Sequence, residues 1–219
     1  MNYATEDFWP AQRNSRECAK ADGFDFISLY QPIDIHPNFY KEHKLILDQK
    51  RGAGCCLWKP YFILDRFSKM TDGDLLIYMD SSDHFNPGLR QFVENNLNNE
   101  EQFFVETVHP NRIYTRRNCF RGMKCDEPIY WNHNQLEAGC IGLKKTENNM
   151  ALVFEWMRYG TMPEIMIDEG VKETEEGNFP DYRRHSCDQS ILTNLVIKYN
   201  LRTTSIHQIL KYVEYNKYG

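Results

Sequence analysis

The sequence lacks an apolar run of the roughly 18 to 20 residues that a membrane-spanning helix requires. Its opening, Met1 to Pro10, has neither the basic nor the apolar region of a signal peptide. Basic residues are not in excess, because 26 Lys and Arg face 31 Asp and Glu for a net charge of -5. Broad nucleic-acid binding needs a surplus of cations to neutralise phosphates. We therefore expect a cytoplasmic protein with no membrane span and no nucleic-acid partner.

Several other signals are missing. The seven cysteines show no C-x-x-C pair that would indicate structural zinc, and without a secretory signal they are expected to be reduced thiols. There is no internal repeat or Pro/Gly/Ser linker, and neither a P-loop nor a G-x-G-x-x-G fingerprint. Hydrophobic residues make up 41% of the chain, enough for a substantial core. We expect residues 1–219 to form a single domain, which can be the amino-terminal part of a longer polypeptide.

The pattern that is present alternates strands with helices. The apolar run Leu75–Met79 sits between turn residues and is typical of a strand buried on both faces. Further strands are predicted at 24–30, 103–108, 138–143 and 202–206, helices at 8–21, 39–48, 58–70, 147–159 and 188–198, and a surface loop at 160–184. This order predicts an α/β fold with a mostly parallel central sheet flanked by helices.

The most informative motif is Asp80-Ser-Ser-Asp83, directly after the predicted strand Leu75–Met79. Open α/β sheets bind ligands in the crevice beyond the carboxyl ends of their strands. Two carboxylates there can hold a hard cation such as Mg²⁺ or Mn²⁺, which prefers oxygen ligands. The alternative is a turn in which both aspartates cap the next element and meet water.

Other candidates stand in separate segments. Arg51 and Lys59 flank a glycine-containing stretch and can serve a phosphate or hold the Asp80 carboxylate, unless Lys59 only covers Trp58 at the surface. Asp188 opens a predicted helix, where it can be a plain cap or accept a proton from a hydroxyl. His207, after the predicted strand 202–206, is a possible nitrogen ligand for the metal, with a structural role as the alternative.

Taken together, four segments resemble a glycosyltransferase family with the GT-A fold. They are R-G-x-G-x-x-L-W-K-P-Y-x-I-L, G-D-L-L-I-Y-M-D, Q-L-E-A-G and H-x-x-D-Q-S-I-L, which span Arg51 to Leu192. They are also similar to the glycosyltransferase domain at the amino end of a chlorella-virus glycan-building protein. The resemblance implies a nucleotide-sugar donor, usually a UDP-sugar, a Mn²⁺ or Mg²⁺ cofactor and a glycan acceptor.

The resemblance also implies roles for individual residues. Asp80 and Asp83 would contact the ribose and the metal, although D-S-S-D departs from the family's usual D-x-D. The remaining roles are the uridine for Tyr3, Ala4 and Thr5; the phosphates for Arg51 and Lys59; the donor sugar for Gln135, Glu137 and Ala138; and the acceptor for His185 and Asp188. From their spacing alone, ordinary strand-entry positions are the favoured interpretation of Gln135 and Glu137.

These roles describe the transfer of a hexose or deoxyhexose to a hydroxyl, with Asp188 as the base. We favour inversion at the sugar because a candidate base is clearer than a candidate nucleophile. Two other functions fit the same pattern: a nucleotidyltransferase, which would consume a nucleoside triphosphate, and a sugar- or nucleotide-binding module without turnover.

Overall fold

The computed structural model describes residues 1–97, 101–168, 170, 174 and 177–215. Their strands are β1 (Asn2–Tyr3), β2 (Leu29–Tyr30), β3 (Leu75–Met79), β4 (His84–Phe85), β5 (Gln102–Pro110), β6 (Asn134–Lys144), β7 (Thr204–Ser205) and β8 (Val213–Glu214). Their helices are α1 (Trp9–Ala21), α2 (Pro37–Glu42), α3 (Lys44–Leu47), α4 (Gly52–Cys55), α5 (Trp58–Phe67), α6 (Leu89–Leu97), α7 (Asn111–Tyr114), α8 (Arg117–Gly122), α9 (Pro128–Trp131), α10 (Glu147–Gly160), α11 (Pro163–Met166), α12 (Asp188–Lys198) and α13 (Ile206–Ile209).

The central sheet has the strand order β3-β6-β5-β7. β6 is antiparallel to both β3 and β5, whereas β7 is parallel to β5. Three strands therefore point the same way, and β6 runs against them. The α/β class with flanking helices is confirmed, and the predicted mostly parallel sheet is in fact mixed. The connection through α7, α8 and α9 brings the chain back to the end of β5 where it left, with Asn134 opposite Pro110, so β6 runs antiparallel to β5.

The amino-terminal strands continue this sheet beyond β3. The Met79 N–H donates to the Met1 carbonyl at 3.1 Å, and the Met1 nitrogen donates to the Ile77 carbonyl at 2.6 Å. β1 in turn pairs in parallel with β2. β3 therefore has a neighbour on both sides and is an interior strand.

Apolar side chains cover both faces of the sheet. Alternate residues of β3 show this: Leu76 and Tyr78 pack with α5, α10 and α12, while Ile77 and Met79 pack with α6 and α13. Successive strand side chains point to opposite faces, so a strand buried on both sides is apolar throughout. This explains why Leu75–Met79 was predicted with its observed bounds.

Several other elements differ from their predicted bounds. The predicted strands 24–30 and 202–206 shrink to β2 and β7, and the predicted helix 39–48 breaks at His43 into α2 and α3. The predicted loop 160–184 contains the short helix α11, and parts of it lie outside the described residues. The single-domain organisation of residues 1–219 stays a prediction.

The segment before α5 has an unusual backbone. Five consecutive residues, 52–56, have positive φ angles between 47° and 98°. Three of them, Ala53, Cys55 and Cys56, are not glycine, and the left-handed region costs such residues about 1–2 kcal/mol each. The Trp58 indole N–H donates to the Gly52 carbonyl at 3.0 Å and holds this left-handed turn against α5.

Candidate functional site

The carboxyl end of β3 is tied to β6. The Asp80 N–H donates to the Gly139 carbonyl at 2.8 Å, and the Asp83 N–H donates to the Asp80 carbonyl at 3.2 Å. The second bond closes a turn that keeps both aspartates beside β6. The predicted neighbourhood of the two carboxylates is therefore present in the fold.

At the same point β6 departs from β5. Phe104 pairs with Ile141, but the next residue, Val105, pairs with Glu137, so residues 138–140 have no register partner on β5. Bulges of this kind re-aim backbone and side chains and often lie next to active sites. Here α12 compensates, because the Gln189 side chain accepts a hydrogen bond from the Ala138 N–H at 3.1 Å.

The bulge brings a third carboxylate to the two aspartates. A Cβ added at Gly139 would lie 2.8 Å from Asp83 Oδ2, 3.2 Å from Glu137 Oε1 and 3.3 Å from Asp80 Oδ2. We call Asp80, Asp83 and Glu137 the carboxylate cluster. The three oxygens converge beside Gly139, and a side chain at residue 139 would crowd them.

Lys59 lies under this cluster. Its side chain is 3% exposed, and its Nζ lies 3.4 Å from Asp80 Oδ1 and 3.1 Å from Asp188 Oδ2. It also donates to the Ala138 carbonyl at 3.0 Å. Of the two predicted roles, the structure places Lys59 where it holds the Asp80 carboxylate. The alternative in which Lys59 covers Trp58 at the surface is wrong, because the ammonium is buried.

Charges decide the protonation state of Lys59. Burial alone would lower the pKa of Lys59, but the carboxylates of Asp188 and Asp80 outweigh it and raise this pKa above the usual value. The ammonium therefore stays charged at neutral pH. It also lies 4.8 Å from the ring centre of Tyr78, a favourable position for a cation.

Asp188 is the buried partner of Lys59. Burial raises the pKa of Asp188, and the neighbouring Lys59 opposes that rise. Asp188 Oδ2 has no hydrogen-bond partner among the described residues, so its contact with Lys59 is an ion pair without hydrogen-bond alignment. Asp188 is the first residue of α12 and follows Cys187, whose φ of 48° is positive. A strained residue at this position fixes where Asp188 points.

Tyr78 was missed in the sequence. Its hydroxyl donates to Asp80 Oδ1, so Asp80 is held by both Tyr78 and Lys59. The signal was present, because side chains two residues apart on a strand share a face. The Tyr-x-Asp spacing at the end of β3 therefore predicts this contact.

Gln135 is buried more deeply in the protein than contact with a donor sugar would require. It is 2% exposed, and its amide donates to the Tyr114 carbonyl at 3.2 Å. Its carbonyl oxygen accepts from the Gln189 amide at 3.0 Å. The structure therefore places Gln135 between β6 and α12, and only Glu137 and the backbone of Ala138 join the carboxylate cluster.

The three predicted uridine residues stand at the amino end of the chain. Tyr3 is buried and stacks on Trp58 with ring centres 4.0 Å apart, and Ala4 is 2% exposed. Thr5 is half-buried and its carbonyl accepts a hydrogen bond from Phe8. Tyr3 reaches the site only through Trp58, so its predicted contact with a nucleotide stays a prediction.

His185 and Arg51 meet at Asp168, a residue that the sequence did not single out. Asp168 accepts hydrogen bonds from the Tyr182 hydroxyl and from the His185 N–H, and Arg51 lies 3.7 Å away. Burial would raise the pKa of Asp168, but these partners outweigh it and lower this pKa. Nothing local marks Asp168, because its partners come from distant segments.

The His185 ring is fully buried, and backbone groups engage both of its nitrogens. Nδ1 accepts from the Arg116 N–H at 3.2 Å, and Nε2 lies 2.9 Å from the Ile165 carbonyl, which assigns the proton to Nε2. Burial lowers the pKa of His185 to about 4, so the ring is neutral. The structure therefore brings His185 to Asp168 and not to the carboxylate cluster.

The predicted metal ligands are only partly together. Among the residues that the structure describes, no group of three or more His, Cys, Asp or Glu side chains has the arrangement of a metal site. His207 is exposed in α13, which follows β7, the strand two positions from β6 in the sheet. His207 as a ligand stays a prediction.

The chemistry of the donor set nevertheless fits a hard cation. The atoms that converge beside Gly139 are carboxylate oxygens, which Mg²⁺ and Mn²⁺ prefer. Asp80 and Asp83, with Glu137 beside them, are the residues that would hold such an ion.

An apolar cavity lies on the α6 side of the sheet. It is lined by β3 residues Ile77 and Met79 and by Phe24, Phe85 and Leu89. This lining contains none of the three cluster carboxylates, so the cavity is separate from the candidate site.

Two features bear on the remaining expectations. None of the seven cysteines is paired in a disulfide. None of the helices in the described ranges combines the length and the apolar character needed to cross a membrane.

Comparison with solved structures shows a likeness of the whole fold to another protein. Neither a protein-family model nor a curated protein matches the chain. The chain is similar to the crystal structure of mouse xyloside xylosyltransferase 1 in its apo form, with 12% sequence identity, a TM-score of 0.46, and coverage of 94% of this chain and 71% of that one. A likeness of this size carries no conclusion about activity.

Proposed function

We propose that this protein is a glycosyltransferase that takes a hexose or deoxyhexose from a UDP-sugar and transfers it to a hydroxyl of a glycan. The observation that carries the proposal is the carboxylate cluster at the end of β3, with the Asp80–Lys59–Asp188 ion pairs beneath it. The resemblance of the W-K-P and G-D-L-L-I-Y-M-D segments to the GT-A family supports it.

In the proposed reaction, different residues hold the cation and orient its ligands. Asp80 and Asp83, with Glu137, would hold Mn²⁺ or Mg²⁺, which when bound stabilises the charge that develops on a departing nucleotide diphosphate. Lys59 and Tyr78 fix the orientation of Asp80, because its Oδ1 contacts both. Such preorganisation lowers the reorganisation that the transition state would otherwise require.

The base is assigned to Asp188, with Glu137 as the alternative. A single displacement assisted by a base inverts the configuration of the sugar carbon. Burial raises the pKa of Asp188 towards the operating pH, which suits a general base. Glu137 is less buried than Asp188 and lies in the carboxylate cluster itself.

The first experiment is calorimetric titration of UDP into the wild type, with and without Mn²⁺. We expect binding that depends on Mn²⁺ and that disappears in the Asp80→Asn, Asp83→Asn double variant. Asp65→Asn is the matched control, because Asp65 pairs with Lys69 at the surface. No UDP binding by folded wild-type protein would exclude the UDP-sugar assignment.

Turnover with a panel of UDP-sugars then separates the alternatives. We expect Asp188→Asn, where it folds, to retain Mn²⁺-dependent UDP binding but to lose transfer. Glu137→Gln should weaken UDP binding with Mn²⁺, because Glu137 belongs to the carboxylate cluster, but should retain transfer at saturating UDP-sugar. Loss of transfer in Glu137→Gln, with transfer retained in Asp188→Asn, would indicate that Glu137 is the base. Donor binding without any transfer indicates a binding module, whereas pyrophosphate release from a nucleoside triphosphate indicates a nucleotidyltransferase.

A further inference from the structure

The last described strand returns to the carboxylate cluster. β8 pairs antiparallel with β4, with His84 opposite Glu214 and Phe85 opposite Val213. One more step along this register puts Tyr215 beside Asp83. The short ladder is reinforced by the Asn86 N–H, which donates to the Tyr212 carbonyl at 2.8 Å.

The hydroxyl of Tyr215 is buried and has no hydrogen-bond partner among the described residues. Buried phenol hydroxyls usually find a partner, so an exception calls for an explanation. Tyr78, on the other side of the same cluster, shows the usual case, because its hydroxyl donates to Asp80.

The surroundings of Tyr215 make its hydroxyl a donor. Asp80, Asp83 and Glu137 lie close enough to Tyr215 to act on it electrostatically, and a tyrosine hydroxyl ordinarily has a pKa of about 10. The phenol therefore stays protonated at neutral pH. A hydrogen-bond donor next to three carboxylates is well placed for the oxygens of an anionic ligand that arrives with a cation.

We infer that Tyr215 is a ligand-contacting residue of the carboxylate cluster, and that its hydroxyl donates a hydrogen bond to an oxygen of the bound nucleoside diphosphate. The inference rests on the proposed function. It adds the β4–β8 ladder to the site, as the element that carries a donor to the side of the cluster opposite Lys59 and Tyr78.

The test is Tyr215→Phe, which removes only the hydroxyl. Since that hydroxyl has no partner within the described chain, its removal leaves the thermal midpoint of the ligand-free protein unchanged or slightly higher. The Kd for UDP in the presence of Mn²⁺ should rise about 3- to 10-fold, the loss expected for one hydrogen bond. Tyr212→Phe is the control, because Tyr212 lies on the same segment but stacks on Phe92.

Two results would overturn the inference. Equal UDP affinity in Tyr215→Phe and wild type would show that the hydroxyl does not touch the ligand. A lower thermal midpoint in Tyr215→Phe, with Tyr212→Phe unchanged, would show that the hydroxyl is bonded within the protein. If the wild type binds no UDP, the proposed function fails and takes this inference with it, so the wild-type titration separates the two failures.

Discussion

Lys59 and Asp188 meet inside the protein, with Nζ 3.1 Å from Oδ2 and side chains that are 3% and 6% exposed. A buried ion pair contributes less to stability than its short distance suggests, because both charges lose their hydration. Removing one partner is strongly destabilising, since it leaves the other charge buried without compensation. The pair therefore makes the site sensitive to any change in charge.

Replacement of Lys59 by Met tests this sensitivity. Asp80 and Asp188 would then face each other without the ammonium, and we expect a loss of about 3–5 kcal/mol in the free energy of unfolding, measured with urea. Lys69→Met is the control, because the Lys69–Asp65 pair is 55% and 35% exposed. That change should cost less than about 1 kcal/mol.

A double variant keeps this prediction testable if Lys59→Met does not fold. Adding Asp188→Asn removes the uncompensated charge, so the Lys59→Met, Asp188→Asn protein should recover part of the lost stability. A single variant as stable as the wild type would contradict the role given to Lys59.

Replacement of Gly139 by Ala tests whether the arrangement of the three carboxylates depends on the lack of a side chain at residue 139. The new Cβ would meet three carboxylate oxygens at 2.8 to 3.3 Å. These atoms are the ends of side chains and can move, so we expect a change in unfolding free energy within about 1 kcal/mol. The affinity for UDP with Mn²⁺ should fall, because the Cβ would displace the carboxylates that would hold the cation.

The matched control for Gly139 is on the same strand. A Cβ at Gly142 would lie 2.8 Å from Val93 Cγ1 and 3.0 Å from Phe103 Cβ, both in the core. Gly142→Ala should therefore destabilise the fold by about 1–3 kcal/mol through overpacking and leave UDP affinity intact in the folded protein. Unchanged UDP binding in Gly139→Ala would contradict the location of the site.

His185 predicts a dependence of stability on pH. The pKa of His185 falls from 6.5 to about 4 on folding because the ring is buried. As the pH drops below 6.5, the His185 imidazole takes up a proton in the unfolded chain. In the folded protein the same imidazole stays neutral until the pH approaches 4. Stability from this residue is therefore complete above pH 6.5 and declines towards pH 4, by about 3 kcal/mol in total.

Urea unfolding at a series of pH values between 6.5 and 4 measures this decline. His185→Gln should show a smaller loss of stability across that range, whatever its stability at neutral pH. His207→Gln serves as the control, because His207 is exposed, and it should keep the wild-type slope. Equal slopes for His185→Gln and wild type would show that His185 does not titrate in this way.

Local pattern accounts for part of the fold. Leu75–Met79 was predictable because five apolar residues stand between turn residues, and Asp80 followed from the end of that strand. The lengths of β2 and β7 were overestimated, because the ends of a strand depend on pairing partners elsewhere in the chain. The antiparallel direction of β6 is likewise a property of the pairing, which side-chain alternation alone does not reveal.

The candidate site was likewise only partly predictable from the sequence. The residue types at Asp80, Asp83 and Glu137 mark them as candidates, but only folding brings them around Gly139. The sequence left open whether Lys59 contacts a phosphate or Asp80 or only covers Trp58, since its partners Ala138 and Asp188 are far along the chain. Asp168 and Tyr215 carry no local signal at all, because their environment comes from segments joined only in the folded protein.

The break in register between β5 and β6 has a consequence for how this protein can change over time. Residues 140–144 of β6 form an unbroken ladder with β3, whereas residues 138–140 are without register partners on β5. A substitution at Gly139 therefore alters the carboxylate cluster without disturbing cross-strand pairs on β5.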